Sequence, residues 1–260
     1  MNYFLRYLAT FRVGSIYLHT LAVDVLTWLV IGGGVWFAIQ QLQEATVELT
    51  AGKTAETFQS YLLSLQPEQL AAFSGQLKAF VVQFIAWLVL VPILVLVVYA
   101  LSRAVLWHVL NKKDFSHVHS LKWVGITLLL LVLLAAYAAV NVLLRWLIVS
   151  VFPYTIAGVF VQIAFACVLV GFLVLKFLAC KRFIETHKIW QSIGDAFGQL
   201  KHHAFVFVSG VITLILLQLV QYPLRDFYFI YQAQGLVVQG LLFLVFVNWM
   251  RLFICKSHTF

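Results

Sequence analysis

Charged residues are absent from six long intervals of this chain: Val25–Gln43, Ala79–Ser102, Trp123–Leu144, Trp146–Leu175, His202–Leu224 and Phe227–Met250. Each reaches or nearly reaches the roughly 20 residues that cross a hydrocarbon core about 30 Å thick. Apolar residues follow one another there without the period-two alternation of a barrel strand. A backbone in lipid must satisfy its own hydrogen bonds, so helices are the expected form. The pattern predicts an all-α polytopic membrane protein with six transmembrane helices, residues 1–260 forming a single transmembrane domain.

The intervals between these runs carry the local signals. In residues 1–20, Tyr3, Tyr7, Leu8 and Phe11 recur at helical spacing beside Arg6 and Arg12, which suits either an interfacial helix or a simple extension of the first span. The apolar run that follows is too long for a secretory signal and lacks a small-residue cleavage site, so it is expected to stay as an anchor. Gly32, Gly33 and Gly34 weaken the first span unless close helix approach or a polar cavity uses them. In residues 44–78, Phe58, Tyr61, Leu62 and Leu65 form one apolar face, and Leu70, Phe73 and Leu77 form another after Gln66-Pro67-Glu68, a helix-start signal. Two short amphipathic interfacial helices are expected there. Pro92 should kink the second span. Phe152-Pro153-Tyr154 reads as a tight turn between the third and fourth.

Composition agrees with a lipid solvent. Of 260 residues, 63% are hydrophobic and 10% are charged, against about 25% charged in soluble domains. Too few charges remain to cover a water-soluble surface. The net charge of +8 would suggest nucleic acid in a soluble protein. Here the basic residues flank apolar runs, so the bilayer is the expected partner and nucleic acid is not. Cys167, Cys180 and Cys255 lie within or at the ends of apolar runs and indicate no disulfide framework.

Charge also orients the chain. With a cytoplasmic N-terminus, alternation puts 13 Lys and Arg on the cytoplasmic flanks and four on the other side: Lys53, Lys78, Arg145 and Arg225. That asymmetry follows the positive-inside rule. Both termini and the connectors 103–122 and 176–203 are therefore expected in the cytoplasm, with 44–78 outside, in a plasma membrane or a bacterial or archaeal inner membrane.

Chemistry-bearing residues are sparse. All eight histidines fall toward the expected cytoplasmic side. One reading is a metal site of Asp114, His117 and His119 joined by His202 or His203. The other is that histidine suits the interface beside lysines, and the lack of HExxH or paired CxxC spacing favours it, so no cofactor is expected. Asp24 is the only acid near the interior of a span, which fits proton or cation handling, pairing with an Arg, or a snorkelling or capping role. Asn141, Gln162 and Asn248 serve either interhelical hydrogen bonds or, with Asp24, a polar path. Ser209-Gly210 lacks a deep histidine as base, and no P-loop, dinucleotide or kinase pattern occurs, so no catalytic residue is assigned.

The LSLQPEQLAAF stretch before the second span, SIGDAFGQLKHHAFVFVSGVITLILL before and within the fifth, and the basic tail NWMRLFICK carry a resemblance. Together they resemble six-span prokaryotic inner-membrane families, including the membrane domain associated with glycerophosphodiester phosphodiesterases. The resemblance implies architecture; the phosphodiesterase catalytic domain has no counterpart here. The expected function is a non-enzymatic membrane scaffold or accessory subunit with a membrane or cytoplasmic protein partner, or a homo-oligomer. A transporter or permease subunit is the alternative, and a cytoplasmic-face metalloenzyme a third.

Overall fold

The structure, a computed structural model, describes residues 14–50, 52–53, 55–111, 120–221 and 232–257. Nearly all of the described residues are helical: α1 (Ser15–Thr50), α2 (Ala55–Ser64), α3 (Pro67–Asn111), α4 (Ser120–Val151), α5 (Tyr154–Thr186), α6 (Ile189–Gln199), a 3-10 turn (Leu200–His203), α7 (Ala204–Gln221) and α8 (Gln232–Ser257). Six helical stretches among them are long and apolar enough to cross a membrane: Ser15–Thr50, Pro67–Asn111, Leu121–Val151, Ile156–Thr186, Ile189–Leu219 and Val237–Cys255.

Two helices run further than the charge-free intervals. α1 continues past Gln43 to Thr50, and the second amphipathic stretch after Pro67 is not a separate helix but the first turns of the 45-residue α3. Pro67 opens α3, where its missing N–H is harmless, and Glu68 complements the helix dipole. The Gln69 side-chain oxygen accepts the Gln66 N–H at 3.1 Å. Between Leu77 and Ala79 stands only Lys78, a good helix former, so nothing breaks the helix. α3 also passes through Pro92 without interruption. The Phe152-Pro153 turn is as expected, with α4 ending at Val151 and α5 starting at Tyr154.

The chain divides into two compact units, Leu26–Tyr99 and Met1–Val25 with Ala100–Phe260. In the first, Phe37 meets Trp87 edge-on at 6.1 Å, Leu94 Cδ2 lies 3.2 Å from where a Cβ on Gly34 would sit, and Phe58 packs near Phe73. The glycine at 34 thus serves close approach. The most apolar window of α3 holds no buried residue, so its side chains face the solvent of the bundle, which for such a surface is lipid.

In the second unit α5 is the hub. From Val170 to Ile184 it is buried on nearly every side, against Trp107 of α3, Trp123 of α4, Val206 of α7 and Phe246, Met250 and Phe253 of α8. Trp123 meets Phe183 edge-on at 5.0 Å. A helix apolar all round is one that neighbours surround. α5 ends at His187, whose φ of 54° is left-handed and whose N–H donates to Phe183 O at 2.8 Å. Histidine tolerates that conformation better than branched residues do. Thr186 Oγ1 then accepts from Lys188 N and bonds Ser192 Oγ at 2.9 Å, which folds α6 back along α5. Ser192, Ile193 and Ala196 form its inner face, continued by His203 of the 3-10 turn. At Gly210, an added Cβ would lie 2.9 Å from both Val170 Cγ1 and Met250 Sδ.

Gly210→Val is therefore expected to overpack the α5–α7–α8 junction and cost about 1–3 kcal/mol. Thermal unfolding in detergent should show a lower midpoint, while Gly198→Val, which meets open space, should change it far less.

Candidate functional site

Asp24 lies nine residues into α1, Arg103 eight residues before the end of α3, and Arg251 six before the end of α8. The fold brings all three together beside α5. One carboxylate oxygen of Asp24 pairs with Arg103 Nη2, and the other takes Arg251 Nη2 at 3.0 Å. Side-chain exposure is 2% for Asp24, 6% for Arg103 and 1% for Arg251. The Arg251 guanidinium also lies 5.6 Å from the centre of the Phe177 ring.

Neighbouring polar contacts extend the cluster. Asn248, one turn before Arg251, is fully buried and donates from Nδ2 to the Tyr17 carbonyl at 3.1 Å. Tyr17 is two turns before Asp24, so both residues share the face of α1 that meets α8. Lys181 Nζ donates to Cys255 O at 3.4 Å, a cation on the last carbonyls of α8. Three helices distant in sequence are thus tied together through groups that lipid could not solvate.

Burial decides what this cluster does. An isolated charge at such a site costs several kcal/mol, and a paired one persists only where opposite charge and hydrogen bonds surround it. Asp24 gives one oxygen to each arginine, so a single carboxylate bridges two guanidinium groups on different helices. The snorkelling and capping readings of Asp24 are set aside by its burial, and the Arg-pairing reading is the one the geometry matches. By sequence position Arg103 and Arg251 are flanking cations; in the fold they are interior partners instead. Without them the expected cytoplasmic flanks still hold eleven Lys and Arg against four.

The other candidate residues are dispersed. Asn141 of α4 is half-buried and Gln162 of α5 is exposed, whereas Asn248 belongs to the α1–α8 seam. His202 is exposed, and His203 is buried with Nδ1 3.0 Å from Gln199 O. His19 and His108 bond the carbonyl one turn back in the same way, at 2.6 and 2.7 Å. Asp114, His117 and His119 lie outside the described residues. Among the described residues, no group of three His, Cys, Asp or Glu is placed to hold a metal ion. The sequence carries one signal of such partners without naming them: one acid stands at the edge of a charge-free run, and alternation sets the start of the first span beside the ends of the second and sixth.

Comparison with protein-family models, curated proteins and solved structures finds no match to this chain.

Removing Asp24 should leave two buried guanidinium groups without their counter-charge, so Asp24→Leu is expected to cost about 3–5 kcal/mol, whereas Arg251→Met keeps the Asp24–Arg103 pair and should cost less. The triple change Asp24→Leu, Arg103→Met, Arg251→Met should recover most of that loss. Unfolding midpoints of the purified variants check both. A triple variant as unstable as the singles would mean the three do not act as a unit.

Proposed function

We propose that this protein is a non-enzymatic multi-pass membrane protein, acting as a scaffold or accessory subunit of a larger membrane complex. Its termini lie on the cytoplasmic side of a plasma or prokaryotic inner membrane, as do the connectors where they leave α3 at Asn111 and α5 at Thr186. The observation that carries this reading is the Arg103–Asp24–Arg251 cluster, in which the buried acid is spent on tying helices together rather than held open to a substrate. Charge asymmetry of the flanks supports the orientation. The gathering of the start of α1 with the ends of α3 and α8 supports the alternation of the spans, which requires them to share a face. A scaffold needs a fixed shape more than a moving one, and a cross-helix ionic tie provides it. The partner would be engaged through the cytoplasmic end of the bundle, where both connectors emerge.

Impermeant thiol labelling of intact cells tests the orientation, using cysteines introduced one at a time at Asn2, Lys53 and Thr259. Lys53→Cys should react from outside, and the two terminal sites only after the membrane is opened. Uptake of solute by proteoliposomes that is lost in Asn141→Leu or Gln162→Leu would contradict the scaffold reading in favour of a permease.

A further inference from the structure

Two cross-helix contacts tie the start of α1 to the end of α8. Asn248 Nδ2 donates to Tyr17 O at 3.1 Å, and Arg251 Nη2 meets Asp24 at 3.0 Å. The two rungs are unequally spaced on the two helices. Along α1 they stand seven residues apart, about 10.5 Å at the helical rise, and along α8 only three, about 4.5 Å. They therefore splay. The wedge between them has Thr20 on its α1 side, three residues from Tyr17 and four from Asp24, so all three share one face. Thr20, Asp24, Asn248 and Arg251 are buried, none more than 1% exposed.

The edges of the wedge are polar, and one of them lacks a partner. A primary amide carries two donor hydrogens and an acceptor oxygen. With Nδ2 of Asn248 on the Tyr17 carbonyl, Oδ1 has no hydrogen-bond donor within the protein, although it is shut off from bulk solvent. Native interiors seldom leave a buried amide oxygen in that state, because its lost hydration is not replaced. Thr20 brings a second acceptor. Its hydroxyl hydrogen is directed at the carbonyls of Ile16 and Tyr17, each at 3.0 Å, and its Oγ1 can accept in turn. Arg251, one turn beyond Asn248, brings a guanidinium, a group of N–H donors only.

We propose that this wedge is a binding site for one ordered water molecule. The water donates to Asn248 Oδ1 and Thr20 Oγ1 and accepts from the Arg251 guanidinium, about three bonds, the usual number for a buried water. The spacing suits it. Residues three apart on a helix stand about 5–6 Å apart at Cβ, and two bonds of about 2.8 Å meeting at one oxygen span that gap. Charge excludes the other small occupants. A sodium or ammonium ion would sit beside two guanidinium groups that share a single carboxylate. A chloride ion would face the amide oxygen, the hydroxyl oxygen and the Asp24 carboxylate. A neutral molecule that both donates and accepts meets neither objection, and water is the one small enough. It joins the Tyr17–Asn248 contact to the ion cluster, so that the seam from Tyr17 to Arg103 acts as one network. The inference concerns this seam alone and holds whichever face of the membrane the termini occupy.

Solid-state NMR of the full chain in phosphatidylcholine bilayers, with magnetisation passed from water protons to nitrogen, tests it. The chain has four asparagines, Asn2, Asn111, Asn141 and Asn248, so nitrogen labelling of asparagine resolves the Asn248 amide, assigned by its loss in Asn248→Ser. Its side-chain signal is expected to build up from water severalfold faster than the backbone amide of buried Val247, labelled in the same sample. Thr20→Leu fills the wedge and should bring the Asn248 build-up down to the Val247 rate, whereas Thr20→Ser keeps the hydroxyl and should leave it unchanged. Equal build-up at Asn248 and Val247 in the wild type would overturn the inference, and that comparison decides by itself should Thr20→Leu fail to fold. Fast build-up that Thr20→Leu does not slow would overturn it too, by placing the water elsewhere. So would carbon–nitrogen dephasing that puts the Arg251 guanidinium in direct contact with the Asn248 amide, since no gap would be left to bridge.

Discussion

A carboxylate without water has to be given its solvent by the protein, and here two guanidinium groups supply it. Asp24 would be untenable next to the apolar walls of α5 were it not held by Arg103 and Arg251. Each arginine is equally dependent on the acid. The consequence is mutual: the beginning of α1, the end of α3 and the end of α8 must be in place together, or three charges are stranded. Apolar packing in lipid gives little preference for one helix neighbour over another, because acyl chains are as apolar as leucine. An ionic tie with defined geometry therefore does more to select helix partners in this setting than further leucines would.

The division of the apolar residues follows from the same reasoning. Where α5 passes Lys176 and Lys181, its apolar side chains are enclosed by Trp107, Trp123, Phe246 and Phe253, and α6 folds back to cover them. Along most of α4 and the first turns of α5, equally apolar residues such as Leu143, Trp146, Ile156 and Val159 are left open. Burial is dense where water would otherwise reach and sparse where lipid is an adequate neighbour.

Much of the helix count was legible because a soluble chain rarely runs about 20 residues without a charge, whereas a bilayer crossing requires it. The turn at Phe152-Pro153 was equally legible, since proline chemistry acts locally. Helix lengths were less so: nothing between Leu77 and Ala79 marks an end, and the polarity change there suggests a boundary that the backbone does not observe. The largest gap concerned Arg103 and Arg251. A count of flanking cations treats each as solvated, while which ones turn inward depends on helix rotation, and rotation is set by packing that one apolar stretch encodes only weakly. The single submerged acid was the visible hint that some cation had to join it.

Contact between Asp24 and its arginines in a bilayer is therefore the point to measure. Solid-state NMR of the chain in phospholipid, with the Asp24 carboxyl carbon and the Arg251 guanidinium nitrogens labelled, reads it through carbon–nitrogen dipolar dephasing. Dephasing typical of an ion pair in direct contact, abolished in Arg251→Met, is the predicted result. Dephasing no greater in the wild type than in that variant would show that the two groups do not meet, and the ionic tie would have to be given up.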